Sequence, residues 1–240
     1  MSGQTITVLQ LYPRDMNIYG DYGNALVLIR RLEWYGYNAK LIAYNPDDIF
    51  PENVDIIIGG GGQDSGQEKI KNDLLVIGPK LKKLADADVP MLMICGLYQL
   101  FGKFFKTANG ETIEGIGLLD IETYGKSERL IGNIIVESEQ FGVLFGYENH
   151  SGQTFLGKNV KPLGRIRMGA GNNTTDSLEG ARYRNVIGSY LHGSLLPKNP
   201  QIADFLIETA VTKKYGEFSN DIIDDSFAFR ARRAAAKRPR

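Results

Sequence analysis

The sequence contains few residues suited to redox or metal chemistry. Among its 240 residues there is one cysteine, Cys95, and there are only two histidines, His150 and His192. One cysteine excludes an internal disulfide, and so few nitrogen and sulfur ligands predict that there is no metal site. This low cysteine content is typical of proteins in reducing compartments, so we expect a cytoplasmic location.

Long apolar runs and an excess of one charge are also missing. Lys and Arg together number 28, as do Asp and Glu, so we expect no nucleic-acid partner. No stretch approaches the roughly 20 apolar residues that span a bilayer. Residues 1–11 lack the basic and apolar regions of a signal peptide, and we therefore expect no membrane insertion.

The order of the apolar runs predicts an α/β fold. Helical patterns cover residues 24–35 and 68–87, and Gly78-Pro79 is expected to interrupt the second one. Buried strands are predicted at residues 5–11, 39–44, 54–58 and 89–94. This alternation is typical of a three-layer, mostly parallel, doubly wound sheet. Short glycine-separated segments between residues 110 and 171 predict an antiparallel strand extension.

Neither an internal repeat nor a linker divides the chain. We expect one domain over residues 1–215, ending in a helix, followed by a C-terminal segment over residues 216–240. Residues 230–240 carry six basic and no acidic side chains. Such a tail is able to bind a partner, but we favour a solvated helix end.

Cys95 occupies a position suited to a nucleophile. It follows an apolar strand and precedes Gly96 and a segment that is able to begin a helix. A strand, a sharp turn and a helix would expose the thiol at the carboxyl edge of a parallel sheet, where the helix N-terminus favours a thiolate. The competing interpretation is that a lone cysteine fills buried space.

A thiolate nucleophile needs a general base and donors for an oxyanion. His192 follows a predicted strand and should reach the same sheet edge, whereas His150 lies in a polar loop, so His192 is the better base. The glycine run at 59–62 also follows a strand, and its amides are able to hold an oxyanion. It fits neither the P-loop nor the dinucleotide spacing, and a plain glycine-rich connection is the alternative.

Together these motifs resemble the class I glutamine amidotransferases of the CobB/CobQ-like branch. The resemblance is carried by Cys-Gly-Leu-Tyr-Gln at 95–99, Ile-Gly-Gly-Gly-Gly at 58–62 and Tyr-Leu-His-Gly at 190–193. Within that branch, further stretches are similar to the glutaminase subunits of lipid II isoglutaminyl synthases, and the similarity extends to about residue 210. These stretches are residues 19–24, 114–120, 129–132, 146–150 and 192–199.

The resemblance implies a class I fold and a glutaminase. Cys95 would attack the side-chain amide of L-glutamine, and His192 would take the thiol proton and return a proton to the departing ammonia. The backbone N–H groups of Gly96 and of either Gly60 or Gly61 would hold the oxyanion.

The resemblance also assigns the substrate site. Arg129 would bind the glutamine α-carboxylate through a bidentate fork, and Gln99 would support the elbow. Two residues depart from the family pattern. Leu97 stands where glycine is usual, which requires a backbone without positive φ. Ser194 stands where many class I enzymes carry an acid, so the orienting carboxylate would come from a buried acid elsewhere or, as we favour, from a partner.

The resemblance implies no cofactor in this subunit, with ATP and Mg²⁺ bound by a partner. That partner would be a MurT-type ligase in a heterodimer, which amidates D-glutamate of the lipid II stem peptide to D-isoglutamine. The loop over residues 12–24 and the segment after His192 are the candidate contacts; alternatively, Tyr19, Tyr22 and Trp34 pack the first helix.

Two other functions remain open at this point. A stand-alone cysteine hydrolase of γ-glutamyl substrates would use the same architecture without a ligase. A non-catalytic binding subunit would use Cys95 only for packing. A cobyrinic-acid-type amidotransferase is the nearest competing interpretation within the family, but it normally carries a fused synthetase domain, and we expect 240 residues to be too few for that.

Overall fold

Twelve strands and six helices form the part of the chain that the computed structural model describes, residues 3–218 and 222–237. The strands are β1 (Thr5–Leu11), β2 (Asn38–Tyr44), β3 (Ile56–Gly59), β4 (Met91–Ile94), β5 (Phe104–Lys106), β6 (Thr112–Glu114), β7 (Ile121–Ser138), β8 (Gly142–Leu156), β9 (Gly164–Met168), β10 (Leu178–Glu179), β11 (Ala181–Tyr183) and β12 (Val186–Ser189). The helices are α1 (Tyr22–Trp34), α2 (Asp64–Asp86), α3 (Gly96–Phe101), α4 (Leu195–Lys198), α5 (Pro200–Tyr215) and α6 (Ser226–Ala236).

The first sheet confirms the predicted doubly wound α/β architecture. Its strand order is β11-β12-β4-β3-β1-β2, and every pairing is parallel except that of the edge strand β11 with β12. Strands β3, β4 and β12 are buried along their whole length, as continuous apolar runs predict. The carboxyl ends of β3, β4 and β12 therefore lie side by side at one edge, which is where the three motifs follow.

Helix α2 corrects the predicted interruption at Gly78-Pro79. It runs unbroken from Asp64 to Asp86 with Pro79 inside it. A proline removes one backbone hydrogen bond, but the buried residues of this helix pack along its whole length and hold it together. Gly78 also permits close packing, because a Cβ at that position would stand 2.8 Å from the Ile116 side chain.

The second sheet is the predicted antiparallel extension, except that β5 and β7 pair in parallel. Its strand order is β10-β9-β7-β5-β6, with β8 paired to β7 in a long hairpin. The β7–β8 register shifts between Gly125 and Leu130, so a bulge precedes the stretch that faces the first sheet. Backbone hydrogen bonds between Tyr147 of β8 and His192 join this hairpin to the segment that follows β12.

The C-terminal segment is attached through a buried arginine. Arg31 of α1 donates hydrogen bonds to Asp204 of α5 and to Asp225, which precedes α6. Helix α6 has no fully buried residue, but it is not a purely solvated end as predicted: Arg232 donates to the Val143 carbonyl of β8, and its Cζ lies 4.8 Å from the centroid of the Phe145 ring. Residues 238–240 of the basic tail lie outside the described residues. Among the described residues, no helix is both long enough and apolar enough to cross a bilayer.

Candidate active site

Cys95 sits on the sharp turn that joins β4 to α3. Its backbone has φ 49° and ψ −103°, a strained conformation for a residue with a side chain. Leu97 is not among the residues with positive φ, so the departure from the family glycine at this position is tolerated. A nucleophile held on such a turn projects from the end of the strand, and this geometry is that of a nucleophile elbow.

The structure brings His192 next to Cys95, although the two lie far apart in the sequence. Gly61 lies between them: a Cβ at Gly61 would be 2.8 Å from Cε1 of His192 and 3.1 Å from Cβ of Cys95. Burial lowers the pKa of His192, but the negative charges of Cys95 and Asp21 outweigh burial and raise it to about 10. The imidazole of His192 therefore favours the protonated form at neutral pH.

Asp21 lies beside His192, although the sequence analysis did not single it out as a site residue. It is 3% exposed and precedes α1, and its Oδ1 lies 3.7 Å from Nδ1 of His192. Its Oδ2 accepts a hydrogen bond of 2.7 Å from the Gly61 N–H. The 3.7 Å separation is too long for a hydrogen bond, so Asp21 acts on His192 through its charge.

The glycine run lies against the elbow, but Gly61 is engaged elsewhere. Because its N–H donates to Asp21, this amide is not free for an oxyanion, contrary to one of the two expected choices. Gly62 is closer to the elbow, since a Cβ on Gly96 would stand 3.0 Å from the Gly62 nitrogen. Gly60 packs against the Met16 carbonyl, whereas Gly62 lines the adjoining cavity. Within the glycine run, the amide of Gly62 is therefore the best-placed candidate donor beside Gly96.

A cavity of about 410 Å³ opens in front of Cys95. Arg129 of β7 contributes to its lining, and its Nη2 donates to Oδ1 of Asn149 at 2.7 Å. Tyr19 lines the same cavity, and its ring lies 4.6 Å from the His192 ring. A guanidinium across a small polar cavity from a thiol is suited to a substrate with a carboxylate at one end and an amide at the other.

A buried hydrogen-bond network lies beneath the cavity. Gln99 donates to the Tyr190 hydroxyl at 3.0 Å, and its Oε1 accepts from Gln67 at 2.8 Å. Gln67 also donates to the Gly96 carbonyl at 3.0 Å. Gln99 thus lines the cavity and connects the elbow to Tyr190, two residues before His192.

His150 lies within β8, paired with Leu130 of β7, and not in the polar loop that the sequence predicted. Its ring stacks on Tyr190 with centroids 3.6 Å apart, and its Nδ1 lies 2.7 Å from the Gly152 carbonyl oxygen. Burial lowers the pKa of His150 to about 3, so the ring stays neutral at physiological pH. His150 lines the cavity, and its stacking on Tyr190 and its contact with Gly152 hold the ring in place.

Glu179 supports the strand that leads to His192. It is fully buried, and its Oε1 accepts hydrogen bonds from the Ser189 hydroxyl at 2.7 Å and from the Tyr190 N–H at 2.8 Å. Burial raises the pKa of Glu179 to about 7. No sequence motif includes Glu179, so sequence reasoning did not connect this carboxyl with the site.

Two aromatic residues proposed as packing for the first helix are exposed instead. Tyr22 is 41% exposed and Trp34 is 55% exposed, whereas Tyr19 covers His192 rather than α1. The outer face of α1 therefore carries apolar surface.

Comparisons with known proteins agree with this geometry. The family model of the CobB/CobQ-like glutamine amidotransferase domain matches residues 7–200. The chain is 36% identical over 234 residues to the GatD subunit of the glutamine-hydrolysing lipid II isoglutaminyl synthase of Staphylococcus aureus, covering 97% of this chain and 96% of that one. It is 40% identical over 215 residues to the GatD subunit of the same enzyme of Streptococcus pneumoniae, covering 88% and 83%.

Solved structures support the fold. A chain of PurLQS from Thermotoga maritima matches with a TM-score of 0.61 at 15% identity, covering 84% of this chain and 97% of that chain. A structure described as a glutamine amidotransferase matches with a TM-score of 0.59 at 17% identity, covering 84% and 98%. The chain belongs to the CobB/CobQ-like glutamine amidotransferases and is an enzyme of that family.

Proposed function

We propose that this chain is the glutaminase subunit of a lipid II isoglutaminyl synthase. The observation that carries the proposal is the Cys95 elbow, which faces a polar cavity with His192 beside it and Arg129 across it. The relatives at 36–40% identity are named as glutamine-hydrolysing subunits of that synthase, which supports both the substrate and the existence of a partner.

In the proposed reaction the Cys95 thiolate attacks the side-chain carbonyl carbon of L-glutamine, which Arg129 holds by its α-carboxylate. The carbonyl oxygen becomes an oxyanion facing the amides of Gly96 and Gly62. Protonated His192 gives its proton to the departing nitrogen. The C–N bond then breaks, ammonia leaves, and a γ-glutamyl thioester remains on Cys95. Water, deprotonated by His192, then hydrolyses the thioester and releases glutamate.

Ammonia alone does not amidate a carboxylate, because the carboxylate must first be activated. We propose that a MurT-type ligase does this with ATP and Mg²⁺ and amidates D-glutamate of the lipid II stem peptide in the cytoplasm. Residues 1–215 would form the amidotransferase domain and residues 216–240 an appended segment. The loop that carries Asp21 and the segment after His192 flank the site and are the proposed contacts with the ligase.

The imidazole of His192 supports a further part of the proposal. Within residues 3–218 and 222–237, neither of its ring nitrogens has a hydrogen-bond partner, and Asp21 is beyond hydrogen-bond distance. Asp21 would thus stabilise the imidazolium charge without orienting the ring. We propose that a carboxylate of the ligase supplies the orienting hydrogen bond, so that glutamine hydrolysis is slow until the complex forms.

The test is a coupled amidation assay with the chain and its ligase. With Cys95→Ala we expect glutamine-dependent amidation of lipid II to be lost and ammonia-dependent amidation to be retained. Exposed Glu208→Gln on α5 is the control and should keep both activities. Retention of glutamine-dependent activity in Cys95→Ala would refute the role of the thiol.

The partner's contribution is tested separately by measuring glutamate release from L-glutamine with and without the ligase. We expect slow release by the chain alone and faster release in the complex. Equal rates would refute the partner-supplied carboxylate while leaving the glutaminase proposal intact. Cleavage of γ-glutamyl peptides without ammonia release would instead favour the stand-alone hydrolase.

A further inference from the structure

A second cavity lies at the far end of the first sheet from the active site. Its volume is about 880 Å³, and it shares no residue with the cavity in front of Cys95. It is bounded by the turn of the β7–β8 hairpin, by residues 161–165 and by the edge strand β11. Its charged lining residues are Glu137, Glu139, Lys161, Arg165, Arg182 and Arg184.

Two of these charges are neutralised by residues outside the cavity. Arg184 forms an ion pair with Asp88 at 2.9 Å, and Glu137 forms one with Arg167 at 2.7 Å. The remaining charges are three cations and one carboxylate, which leaves an excess of two positive charges facing a space large enough for a small organic molecule.

Those four side chains make no ion pair within the described ranges. They are Lys161, Arg165 and Arg182 on the positive side and Glu139 on the negative side. Lys161, Arg165 and Glu139 are exposed, so water solvates their charges and leaving them unpaired costs little free energy. Arg182 is half-buried, and it is the member of the group whose state needs explanation.

The guanidinium of Arg182 is fixed in place and incompletely satisfied. Its Cζ lies 5.2 Å from the centroid of the Phe141 ring and 5.0 Å from that of the Phe205 ring. One Nη donates to Oε1 of Gln140, and the other donates to the Arg184 carbonyl at 3.2 Å. Its Nε is buried without a hydrogen-bond partner in the described part of the chain.

This arrangement lacks a negatively charged acceptor. Burial lowers the pKa of Arg182, and no carboxylate offsets that effect. A buried charged donor left without an acceptor is costly, and cation–π contacts with two rings replace only part of the lost hydration. An oxyanion that carries two or more charges would supply the negative partner that this guanidinium lacks and balance the excess charge of the cavity.

We propose that this cavity binds a small polyanion, of the organic phosphate or polycarboxylate class, with Arg182 as its central donor and Lys161 and Arg165 as charge partners. The site is separate from glutamine hydrolysis. Its edge strand β11 pairs with β12, and His192 lies beyond the far end of β12. Binding there stands whether or not the proposed glutaminase function holds.

The experiment is isothermal titration of the full chain at low ionic strength, with inorganic pyrophosphate and citrate as separate probes. We expect one site for at least one probe, weakened about tenfold or more by Arg182→Gln and several-fold by Lys161→Gln. Removal of the opposing charge in Glu139→Gln should strengthen binding. A preference for pyrophosphate indicates a phosphate ligand, and one for citrate indicates a carboxylate ligand.

The matched control is Arg30→Gln, which removes the same charge from an exposed arginine on α1. Its affinity should equal that of the unmodified chain. No binding of either probe at about 10 mM, or equal weakening by Arg30→Gln and Lys161→Gln, would overturn the proposal. If Arg182→Gln does not fold, the opposite effects of Lys161→Gln and Glu139→Gln decide the matter, because neither residue is buried.

Discussion

Replacement of Glu179 by glutamine should change how the stability of the protein depends on pH. Burial raises the pKa of this carboxyl from 4.5 to about 7. Between these two values the native state keeps a proton that the unfolded chain releases. The free energy of unfolding therefore falls as the pH rises through this window, and the loss is complete above the native pKa.

The size of the effect follows from the two pKa values. Linkage gives a cost to the native state of about 1.4 kcal/mol at about pH 5.5 and about 3.3 kcal/mol at about pH 8, so this one carboxyl removes about 2 kcal/mol of stability between these conditions. Glutamine keeps the shape and an acceptor oxygen for the Tyr190 N–H, but it does not titrate. Any packing cost of the substitution is the same at both pH values.

The assay is urea unfolding of both proteins at the two pH values, with circular dichroism as the readout. The stability of Glu179→Gln relative to the unmodified chain should rise by about 2 kcal/mol from the lower to the higher pH. The exposed Glu208→Gln control should show no such change. If the stability of Glu179→Gln relative to the unmodified chain differs by less than about 0.5 kcal/mol between the two pH values, burial does not hold this carboxyl protonated.

Three other variants test the packing and the site. Arg31→Ala should lose about 3 kcal/mol of stability in urea unfolding, because it leaves the partly buried Asp204 and Asp225 without their cation. Exposed Arg30→Ala should change stability by less than about 0.5 kcal/mol, and equal effects of the two variants would contradict the stabilising role of Arg31. Gly61→Ala should reduce kcat for glutamine hydrolysis by about tenfold or more, since the new Cβ would press on the ring of His192. Gly3→Ala, which places its Cβ in open space, should leave kcat unchanged. An unchanged kcat in Gly61→Ala would show that the His192 ring moves freely. Arg129→Lys should raise KM for glutamine with little change in kcat, because lysine loses the bidentate fork; an unchanged KM would remove Arg129 from substrate binding.

The fold and the turn that carries Cys95 follow from local pattern, because both depend on residues that are neighbours in the sequence. Continuous apolar runs place β3 and β4, and the Cys95-Gly96 pair after a strand predicts the turn. Asp21 and Glu179 were not predictable in this way. Tertiary packing brings the loop of Asp21 to His192 and the strand of Glu179 to Ser189 and Tyr190, and no spacing in the sequence encodes those contacts.

Two further differences have the same origin. Proline and glycine predict a break in α2, but packing on a neighbouring segment outweighs one missing hydrogen bond. The choice among the amides of the glycine run is set by which of them Asp21 engages, and that partner lies 40 residues away from Gly61. Composition identifies such a loop as an anion holder, and only the three-dimensional structure identifies the donor.

The backbone pairing of Tyr147 with His192 gives the two sheets a shared mechanical role. Cys95, the proposed nucleophile, is anchored to the parallel sheet, while His192, the proposed base, is tied by backbone hydrogen bonds of 2.8 and 3.3 Å to the long hairpin of the other. In the proposed mechanism the alignment of sulfur and imidazole therefore depends on how the hairpin packs against the parallel sheet.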